Sequence, residues 1–331
     1  MLKEVHKIIP KVFLVGGSVR DEILGRTPKD YDFATPMLPD EIEQAVRDAG
    51  KRPYLIGKRF GTIGFKLNGE MVEVTSFRQE RYFEGSRKPE VEFVKDITAD
   101  LSRRDFTINA MAKRVDGSII DPFGGREDLA NKIIRCVGTP KARFKEDPLR
   151  ILRACRFSSQ LDFMIEEKTY EYMCKMRTTL LNVSKERWCI ELDKLLVAEK
   201  PLNGLIALMA QGIFNIIIPE LSLQENFNQE SPHHSLDLWN HTLKALISSP
   251  CDLHIRWALL LHDTGKPFTK VLNKHKTYYN YLDHEKISAE IVEKTGLYLK
   301  RSNEWTNTVK DLVINHMDPE SPLKKYDNMG K

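Results

Sequence analysis

One segment limits what this chain can fold into more than any other: residues 13–35, which read FLVGGSVRDEILGRTPKDYDFAT. An apolar strand enters a turn at Gly16 and Gly17, where the missing side chains allow a positive φ and the close approach of a phosphate. A second strand carries Asp30 and Asp32, which the two-residue period of a strand places on one face. Two such carboxylates repel each other unless a cation lies between them, and hard oxygen ligands suit Mg²⁺. The segment therefore predicts an α/β unit with metal ions beside a phosphate-binding turn, as two-metal phosphoryl transfer requires.

A short helix is predicted to join these two strands. Ser18 is expected to cap its N-terminus, with Asp21 in a capping-box position, and Gly25 is expected to end it. The unpaired N–H groups at the helix start and the side chain of Arg20 are suited to an anion. The turn has neither the G-x-G-x-x-G pattern of dinucleotide-binding folds nor a Walker A loop. A Gly-Gly turn or a D-x-D pair alone is usually structural, but their joint occurrence favours a nucleotide site.

The character of the chain changes near residue 130. At 331 residues, two or three domains are expected. The first part mixes strand and helix patterns and predicts an α+β head at 1–130. Its strands are expected at 12–15, 31–34, 61–67, 71–75 and 91–94. Helices are then expected at 147–159, 166–175, 185–196, 202–211, 236–248 and 254–262. A polar stretch at 224–232 is the best linker candidate, which predicts an all-α neck and body at 131–223 and a separate helical domain at 224–331.

Composition narrows the class of protein. A hydrophobic fraction of 41% and a charged fraction of 30% are typical of a globular, water-soluble chain. No apolar run approaches the roughly 20 residues of a membrane span, and no secretion signal is evident, so a cytoplasmic location without a membrane partner is expected. The five cysteines contain no C-x-x-C pair and predict neither a zinc knuckle nor disulfides. A net charge of +4 is compatible with nucleic acid without requiring it.

Charged side chains recur every three residues in EDPLRILRACRF, residues 146–157. On a helix this spacing makes Asp147 and Arg150 neighbours and continues through Arg153 and Arg156. A carboxylate beside a guanidinium can pair with the Watson–Crick edge of a base, which would distinguish one nucleotide from another without a template. The alternative interpretation is an ion-paired surface helix.

Histidines cluster in the last third of the chain. The candidate ligands are His241, His262, Asp263 and His284, with His316 further downstream. Histidine and aspartate at the end of one helix, with histidines on neighbouring helices, can bind a divalent metal inside a bundle. Asp311 and Asp318 are the candidates for a last carboxylate. A single histidine in a bundle is more often an ordinary core residue, which is the alternative here.

The segment GGSVRDEILGR…KDYDFAT resembles the signature of class II tRNA nucleotidyltransferases and bacterial poly(A) polymerases, within the polymerase-β-like superfamily. The resemblance implies a nucleotidyltransferase head in which Asp30 and Asp32 bind two Mg²⁺ ions. It also implies that Gly16, Gly17 and Arg20 hold the triphosphate. The implied reaction is template-independent addition of CMP and AMP to the 3′ end of tRNA, from CTP and ATP.

Residues 101–112, LSRRDFTINAMA, resemble the second motif of that family. Two adjacent arginines before a helix-like run can bind ribose or phosphate, although a solvated basic pair is an equal alternative. The resemblance implies nucleotide binding by Arg103, Arg104 and Asn109, with Asp105 between them.

Two further stretches resemble the family's nucleotide-selecting and neck motifs. EDPLR implies that Asp147 and Arg150 read the base. Arg153 and Arg156 are then expected to contact phosphate or to support the neck. The stretch SKERWCIELDKLL, residues 184–196, is expected to brace that helix. Its matching residues are Glu186, Arg187 and Glu191.

Residues 75–93, TSFRQERYFEGSRKPEVEF, resemble the mobile loop of CCA-adding and A-adding enzymes, which CC-adding enzymes lack. The loop argues against addition of CC alone, and it leaves open full CCA addition and terminal A addition. Poly(A) polymerase is a further alternative, although LIGKRFGTIGF, residues 55–65, looks closer to the tRNA-specific branch.

The stretches HHSLDLWNHTLKAL, WALLLHDTGKP and YLDHEKISAEI resemble the HD-type metal phosphohydrolase domain. This resemblance implies a second divalent metal site in the last third of the chain. It leaves open two alternatives from other classes: an HD-type metal-dependent phosphohydrolase, and a non-catalytic RNA-binding protein.

Overall fold

The structure is a computed structural model that describes residues 1–28, 30–81, 90–232 and 235–329; for Glu80 and Arg81 it describes the backbone alone. The chain divides into two compact units. The first comprises Met1–Asp147 with Ile165–Thr169, and the second comprises Pro148–Met164 with Tyr170–Lys331.

Strands and short helices alternate in the first unit. Its helices are α1 (Leu2–Ile8), α2 (Gly17–Ile23), α3 (Pro39–Asp48), α4 (Ile97–Ser102), α5 (Gly125–Ala130) and α6 (Pro140–Glu146). Its strands are β1 (Phe13–Val15), β2 (Tyr31–Thr35), β3 (Thr62–Leu67), β4 (Glu70–Ser76), β5 (Arg78–Arg81), β6 (Glu90–Phe93), β7 (Ala112–Lys113), β8 (Ile119–Ile120) and β9 (Ile133–Ile134). Every strand expected from the sequence is confirmed to within one residue at each end, and so is the α+β class of the head.

A mixed sheet organises this unit. In the part of the chain that the structure describes, its strand order is β3-β4-β2-β1-β7-β8, with β2 and β4 parallel and the other neighbours antiparallel. Phe33 of β2 lies opposite Leu14 of β1 and Val74 of β4, and all three side chains are buried. Strand β2 is therefore paired on both edges, and the backbone that leads to Asp32 is held inside the sheet.

Strands β5 and β6 form a separate antiparallel pair. They flank residues 82–89, which lie outside the described residues. The loop predicted at 75–93 is therefore described only at its two ends, and its side chains Glu84, Arg87 and Lys88 lie outside the described residues.

The rest of the chain is mainly helical. Its helices are α7 (Arg150–Leu161), α8 (Glu167–Met176), α9 (Lys185–Leu196), α10 (Leu202–Ala210), α11 (Phe214–Ile217), α12 (Pro219–Ser222), α13 (Leu238–Ile247), α14 (Leu253–Leu261), α15 (His284–Tyr298), α16 (Asn303–Ile314) and α17 (Lys324–Met329). Short strands occur at β10 (Met164–Ile165), β11 (Lys270–Leu272) and β12 (Tyr279–Tyr281). Among the described residues, no helix is both long enough and apolar enough to cross a membrane.

The helices expected from the sequence are confirmed to within two residues at each end, with one exception. The helix predicted at 147–159 is wrong at its start, because α7 begins at Arg150. Asp147 has an extended backbone, with φ −142° and ψ 101°, and it directly follows the end of α6. The physical reason is Pro148, since a proline ring clashes with a preceding residue in the α conformation.

Candidate functional site

Ser18 holds the backbone of both predicted metal-binding aspartates. Its Oγ donates a hydrogen bond of 2.9 Å to the carbonyl oxygen of Asp30 and accepts one of 3.1 Å from the N–H of Asp32. Ser18 is buried, whereas both aspartates reach solvent. The predicted capping role of Ser18 is wrong, because Gly16 is the N-cap of α2 and Ser18 lies inside the helix. The hydroxyl instead fastens α2 to the start of β2.

The two aspartates differ in their place on the strand. Asp32 is the second residue of β2, and Asp30 lies just before the strand rather than within it. The protein around Asp32 desolvates its carboxylate and raises its pKa; Arg104 opposes this shift and Asp30 adds to it. Parallel pairing places Glu73 of β4 beside Asp32, and Glu73 is exposed between the buried Val72 and Val74. Exposed carboxylate oxygens in this arrangement fit a hard cation such as Mg²⁺.

A chain of hydrogen bonds joins the first and second sequence motifs. Arg20 Nη1 donates to the side-chain oxygen of Asn109 at 2.7 Å, and Asn109 Nδ2 donates to Asp105 Oδ1 at 3.1 Å. Arg20 Nε donates to Asp21 Oδ1 at 2.8 Å, so the predicted capping-box role of Asp21 is not what the structure shows. Asp105 and Asn109 are both buried. The guanidinium of Arg20 is therefore oriented by groups that are themselves held in place.

Arg103 and Arg104 share one buried partner, Asp100, which sequence reasoning missed. Arg103 Nη2 lies 2.9 Å from Asp100 Oδ1, and Arg104 Nη2 lies 3.5 Å from Asp100 Oδ2. Asp100 is 1% exposed. The available sequence signal was its position three and four residues before the two arginines, which on a helix places all three together. The two arginines are thus a fixed pair rather than a solvated one.

Position 16 requires a glycine because the side chain of Arg104 lies against it. Its φ is +71°, and a Cβ added there would lie 2.5 Å from Arg104 Nη1. The sequence predicted that this missing side chain admits a phosphate. In the structure it also admits the guanidinium that lies nearest to the turn.

Helix α7 carries the arginines of the predicted nucleotide-selecting motif. Arg156 Nη1 lies 2.9 Å from Glu191 Oε2, and Arg153 Nη1 lies 3.8 Å from Glu191 Oε1. The predicted bracing of this helix by Glu191 of α9 is therefore confirmed. Arg150 and Arg156 are buried, at 7% and 6% exposure, so the alternative of a surface helix is wrong.

The adjacency argued for Asp147 and Arg150 from helical spacing does not apply, because Asp147 is not in α7. Asp147 belongs to the first unit of the chain, and Arg150 belongs to the second. Their joint role in base reading stays a prediction.

A buried cluster of histidines and carboxylates lies in the second unit. Its first group consists of His241, His262, Asp263 and Asp327. His241 Nε2 lies 3.1 Å from Asp263 Oδ2, 3.2 Å from Asp327 Oδ1 and 3.2 Å from His262 Nε2. The last carboxylate is therefore Asp327 of α17. Neither Asp311 nor Asp318, the sequence candidates, belongs to the clusters found among the described residues.

A second group adjoins the first. It consists of Asp263, His284 and His316. His284 was predicted as a ligand together with His241 and His262, and the structure places it on the other oxygen of Asp263, Oδ1, at 3.2 Å. Imidazole nitrogens and carboxylate oxygens are the donors that divalent transition metals bind. The cluster therefore fits the metal site that the sequence predicted.

Burial and hydrogen bonds between histidines and carboxylates shift the pKa values of the cluster. Burial lowers the pKa of His241, but hydrogen bonds with Asp263 and Asp327 outweigh that effect and raise the pKa to about 9. Burial raises the pKa of Asp327, but hydrogen bonds from His241 and His262 hold it well below its usual range. Burial lowers the pKa of His316 to about 3. A proton on His241 thus supplies positive charge between the carboxylates when no metal ion is bound.

Known proteins match this chain along most of its length. The Poly A polymerase head domain matches residues 12–135, the "Probable RNA and SrmB- binding site of polymerase A" matches 162–224, and the HD domain matches 233–328. A CCA-adding enzyme from Streptococcus agalactiae serotype V is 34% identical over 319 residues, which are 95% of this chain and 78% of that protein. This chain belongs to the CCA-adding enzyme family.

The chain matches only part of the length of other members of the CCA-adding enzyme family. A CCA-adding enzyme from a Geobacillus species, strain WCH70, is 42% identical over 226 residues, which are 68% of this chain and 55% of that protein. The crystal structure of the Bacillus stearothermophilus CCA-adding enzyme in complex with CTP aligns with a TM-score of 0.68 at 28% identity, over 99% of this chain and 81% of that one. The chain therefore spans between about half and four fifths of these relatives. Membership of the nucleotidyltransferase and HD families implies a dependence on divalent metal ions, for which the structure holds candidate ligands.

Proposed function

We propose that the chain adds CMP and AMP to the 3′ end of tRNA, from CTP and ATP and without a template. The observation that carries this proposal is the pair Asp30 and Asp32, whose backbone is held by the buried hydroxyl of Ser18 next to Arg20 of the same helix. Membership of the CCA-adding enzyme family supports the same substrates, since one relative of known structure is in complex with CTP.

The chemistry is an in-line displacement at the α-phosphorus of the nucleotide. The oxygen of the tRNA 3′-hydroxyl forms a bond to that phosphorus, the bond to the pyrophosphate oxygen breaks, and the hydroxyl proton is lost to solvent. Two Mg²⁺ ions, held by Asp30 and Asp32, would lower the pKa of the hydroxyl and stabilise the charge on both oxygens. The protein contributes positioning: Gly16 and Gly17 leave room at the turn, and the predicted triphosphate and ribose contacts come from Arg20, Arg103, Arg104 and Asn109.

Base selection is assigned to the start of the helical part. We propose that Asp147 accepts and Arg150 donates hydrogen bonds to the Watson–Crick edge of the incoming base. Arg153 and Arg156 hold the helix against Glu191, which supports a role in the neck rather than at phosphate. Replacing Asp147 by alanine is then expected to reduce the selectivity between CTP and ATP. Unchanged selectivity would contradict the assignment.

We propose that the three parts of the chain have different functions. Residues 1–130 supply catalysis, 131–223 supply nucleotide selection and binding of the tRNA acceptor arm, and 224–331 form the HD-like domain. Double-stranded RNA is recognised through backbone and shape, which suits a helical body that must accept every tRNA. The proposal includes a cytoplasmic location.

A primer-extension assay tests the main proposal. The substrate is tRNA that lacks its 3′ end, given CTP and ATP separately and together with Mg²⁺. We expect CMP addition first and AMP addition only after two CMP residues, and we expect both to be lost in Asp30→Asn and Asp32→Asn. The matched control is Asp48→Asn, an exposed aspartate of the same unit.

Each alternative gives a different product. Addition of AMP alone to a CC-ended tRNA would replace the proposal by an A-adding enzyme, and long AMP tracts would replace it by a poly(A) polymerase. A parent protein that adds no nucleotide contradicts it.

A second candidate function is favoured by the buried cluster. We propose that His241, His262, Asp263 and Asp327 bind a divalent metal ion and that this part of the chain hydrolyses phosphoesters. A divalent ion held by these residues would supply Lewis-acid activation of water. In the net reaction the water oxygen bonds to phosphorus, the bond from phosphorus to the alcohol oxygen breaks, and the alcohol takes a proton. Hydrolysis of p-nitrophenyl phosphate with added Mn²⁺ should be lost in Asp263→Ala and kept in Asp318→Ala. A parent without hydrolysis would show that the site is not catalytic.

A further inference from the structure

Asp100 is buried beside the proposed nucleotide site and takes no part in the proposed chemistry. Its side chain is 1% exposed, and its two oxygens face Arg103 and Arg104. We propose that Asp100 is a positioning residue, whose carboxylate holds the guanidinium of Arg104 beside the Gly-Gly turn for the triphosphate of the incoming nucleotide. The inference deepens the proposed function and rests on it, since Arg104 is proposed there as a nucleotide ligand.

The two oxygens of Asp100 have different partners. Oδ1 accepts hydrogen bonds from Arg103 Nε at 3.1 Å and Nη2 at 2.9 Å, and from the backbone N–H of Arg78 at 3.3 Å. Oδ2 is buried without a hydrogen-bond partner among the described residues, and Arg104 Nη2 lies 3.5 Å from it. Oδ1 is therefore occupied by donors, whereas the charge on Oδ2 attracts Arg104.

The guanidinium of Arg104 is held by charge rather than by short hydrogen bonds. Besides the contact with Asp100, its Nη1 donates to the carbonyl oxygen of Asn109 at 3.5 Å, which is longer than most hydrogen bonds. Its Nε has no hydrogen-bond partner among the described residues. A phosphate forms short, charge-assisted hydrogen bonds with a guanidinium. Arg104 therefore gains from binding a phosphate, and Asp100 keeps it in place until one arrives.

The position of Arg104 suits a phosphate at the turn. A Cβ built on Gly16 would lie 2.5 Å from Arg104 Nη1 and 3.8 Å from Asp32 Oδ2. The arginine and the proposed metal ligand therefore border the same space, which the missing side chain of Gly16 leaves open. An anion bound there is within reach of the arginine and of a metal ion on Asp32, as a metal-bound triphosphate requires.

The carboxylate of Asp100 is itself fastened to the metal-binding strand β2. Phe77, which precedes the N–H donor Arg78, donates its own N–H to the carbonyl oxygen of Thr35 at 2.8 Å, at the end of β2. Leu101, the residue after Asp100 in α4, belongs to the same buried apolar cluster as Phe77. Backbone hydrogen bonds and core packing thus hold Asp100 relative to β2, and the arginine that it attracts is held relative to the same strand.

A double-mutant cycle on nucleotide affinity tests the proposal. The ligand is ATP with Mg²⁺, and isothermal titration calorimetry gives its Kd for the parent, Asp100→Asn, Arg104→Ala and the double variant. Asparagine keeps an acceptor oxygen for Arg103 and Arg78 and removes the negative charge that faces Arg104. We expect Asp100→Asn to raise Kd about 10-fold, as for the loss of one contact to a charged group. In the Arg104→Ala background the same substitution should leave Kd unchanged, because its effect passes through Arg104.

Two further comparisons separate this role from a general effect on the fold. Asp96→Asn removes an exposed charge from the start of the same helix, where the side chain accepts from the N–H of Thr98, and its Kd should equal that of the parent. Arg78→Pro removes the N–H that binds Oδ1, whereas Arg78→Ala removes the side chain alone, so the proline variant should have the higher Kd. Equal Kd values for this pair overturn the proposal even if Asp100→Asn does not fold.

The outcomes distinguish the positioning role from the proposed function. An unchanged Kd in folded Asp100→Asn, or the same rise with and without Arg104, overturns the positioning role and leaves nucleotide addition standing. The expected cycle in a parent that adds no nucleotide to tRNA confirms the positioning role and contradicts the proposed function. A parent that binds no ATP contradicts both.

Discussion

The guanidinium of Arg20 donates a hydrogen bond of 2.7 Å to the side-chain oxygen of Asn109, which lies 89 positions further along the chain. Asn109 in turn donates to Asp105. One buried amide therefore orients the arginine beside the Gly-Gly turn, and it links two motifs that the sequence presents separately. The geometry of the proposed triphosphate site depends on this amide.

Replacing Asn109 by alanine should lower kcat/KM for nucleotide addition by about 10- to 100-fold, because a hydrogen bond to a charged group is worth about 1.5–3 kcal/mol. The loss should be largest in KM for the nucleotide, since Arg20 is proposed to bind it. Steady-state extension of CC-ended tRNA at varied ATP measures the effect. Asn131→Ala, an exposed asparagine of the same unit, is the control. A variant with unchanged KM would contradict the positioning role.

Replacing Gly16 by alanine should abolish activity, whereas Gly25→Ala should not. Both glycines have φ near +70°, but a Cβ on Gly16 would lie 2.5 Å from Arg104 Nη1, and a Cβ on Gly25 would have no neighbour within 4 Å. Both variants have the strain of a positive φ, but an alanine at position 16 would also have ψ −138°, a conformation that residues other than glycine avoid. Displacement of Arg104 adds to the effect in Gly16→Ala alone. Thermal unfolding and nucleotide addition are measured on both, below both melting midpoints. Equal activities would show that Arg104 moves without consequence.

Replacing Glu191 by glutamine should lower the free energy of unfolding on the order of 3 kcal/mol, because it removes a negative charge that faces the buried Arg156. The two side chains are 5% and 7% exposed. The control is Glu186→Gln on the same helix, whose partner Lys300 is 61% exposed; it should hardly change stability. Urea unfolding curves give both values. If the two variants are equally stable, the brace across α7 and α9 is not a stabilising contact.

The metal-free chain should become less stable as pH rises from about 6.5 to about 9. The pKa of His241 is raised to about 9 in the fold, so its proton stabilises fully below 6.5 and that contribution is lost as pH rises through 9. His262, Asp263 and Asp327 face His241, and the charge of Lys266, which pairs with Asp263, acts against its protonation. The lowered pKa values of the two carboxylates place their own losses at acid pH.

Thermal melting midpoints in chelator, at intervals between pH 6 and pH 9.5, measure this trend. The same chain saturated with Mn²⁺ is its control, and there the midpoint should rise with pH because protons compete with the ion for His241. A flat profile in chelator would show that His241 is neutral in the metal-free fold.

The structural features that the sequence predicted correctly are those that depend on residues close together in the chain. Strand-like runs of residues placed β2 and β4, and Gly25 follows α2 with a positive φ as expected. Pro148 is also a local signal, because a proline disfavours a helical conformation of the residue before it. It therefore predicts that α7 begins after Asp147. Local sterics act over a few bonds, so the linear order of residues contains them.

Partners distant in the chain were harder to predict. Asp327 was missed as a ligand because it lies on α17, beyond two other acidic candidates of similar spacing. The role of Ser18 was misread because a serine after a glycine turn has the same local pattern whether it caps its own helix or bonds to backbone 12 residues away. Either use satisfies the hydroxyl, and only the packing of α2 against β2 chooses between them.

The sequence by itself determined which residue types are available for the chemistry: two aspartates after a Gly-Gly turn, arginines in the next motifs, and histidines on separate helices. The tertiary structure alone decided their partners, including Asp100 between two arginines and the two oxygens of Asp263 in two ligand groups. The physical reason is that covalent and steric preferences are local, whereas a buried charge or lone pair is stabilised by whichever group the packing of the whole unit brings within about 3 Å.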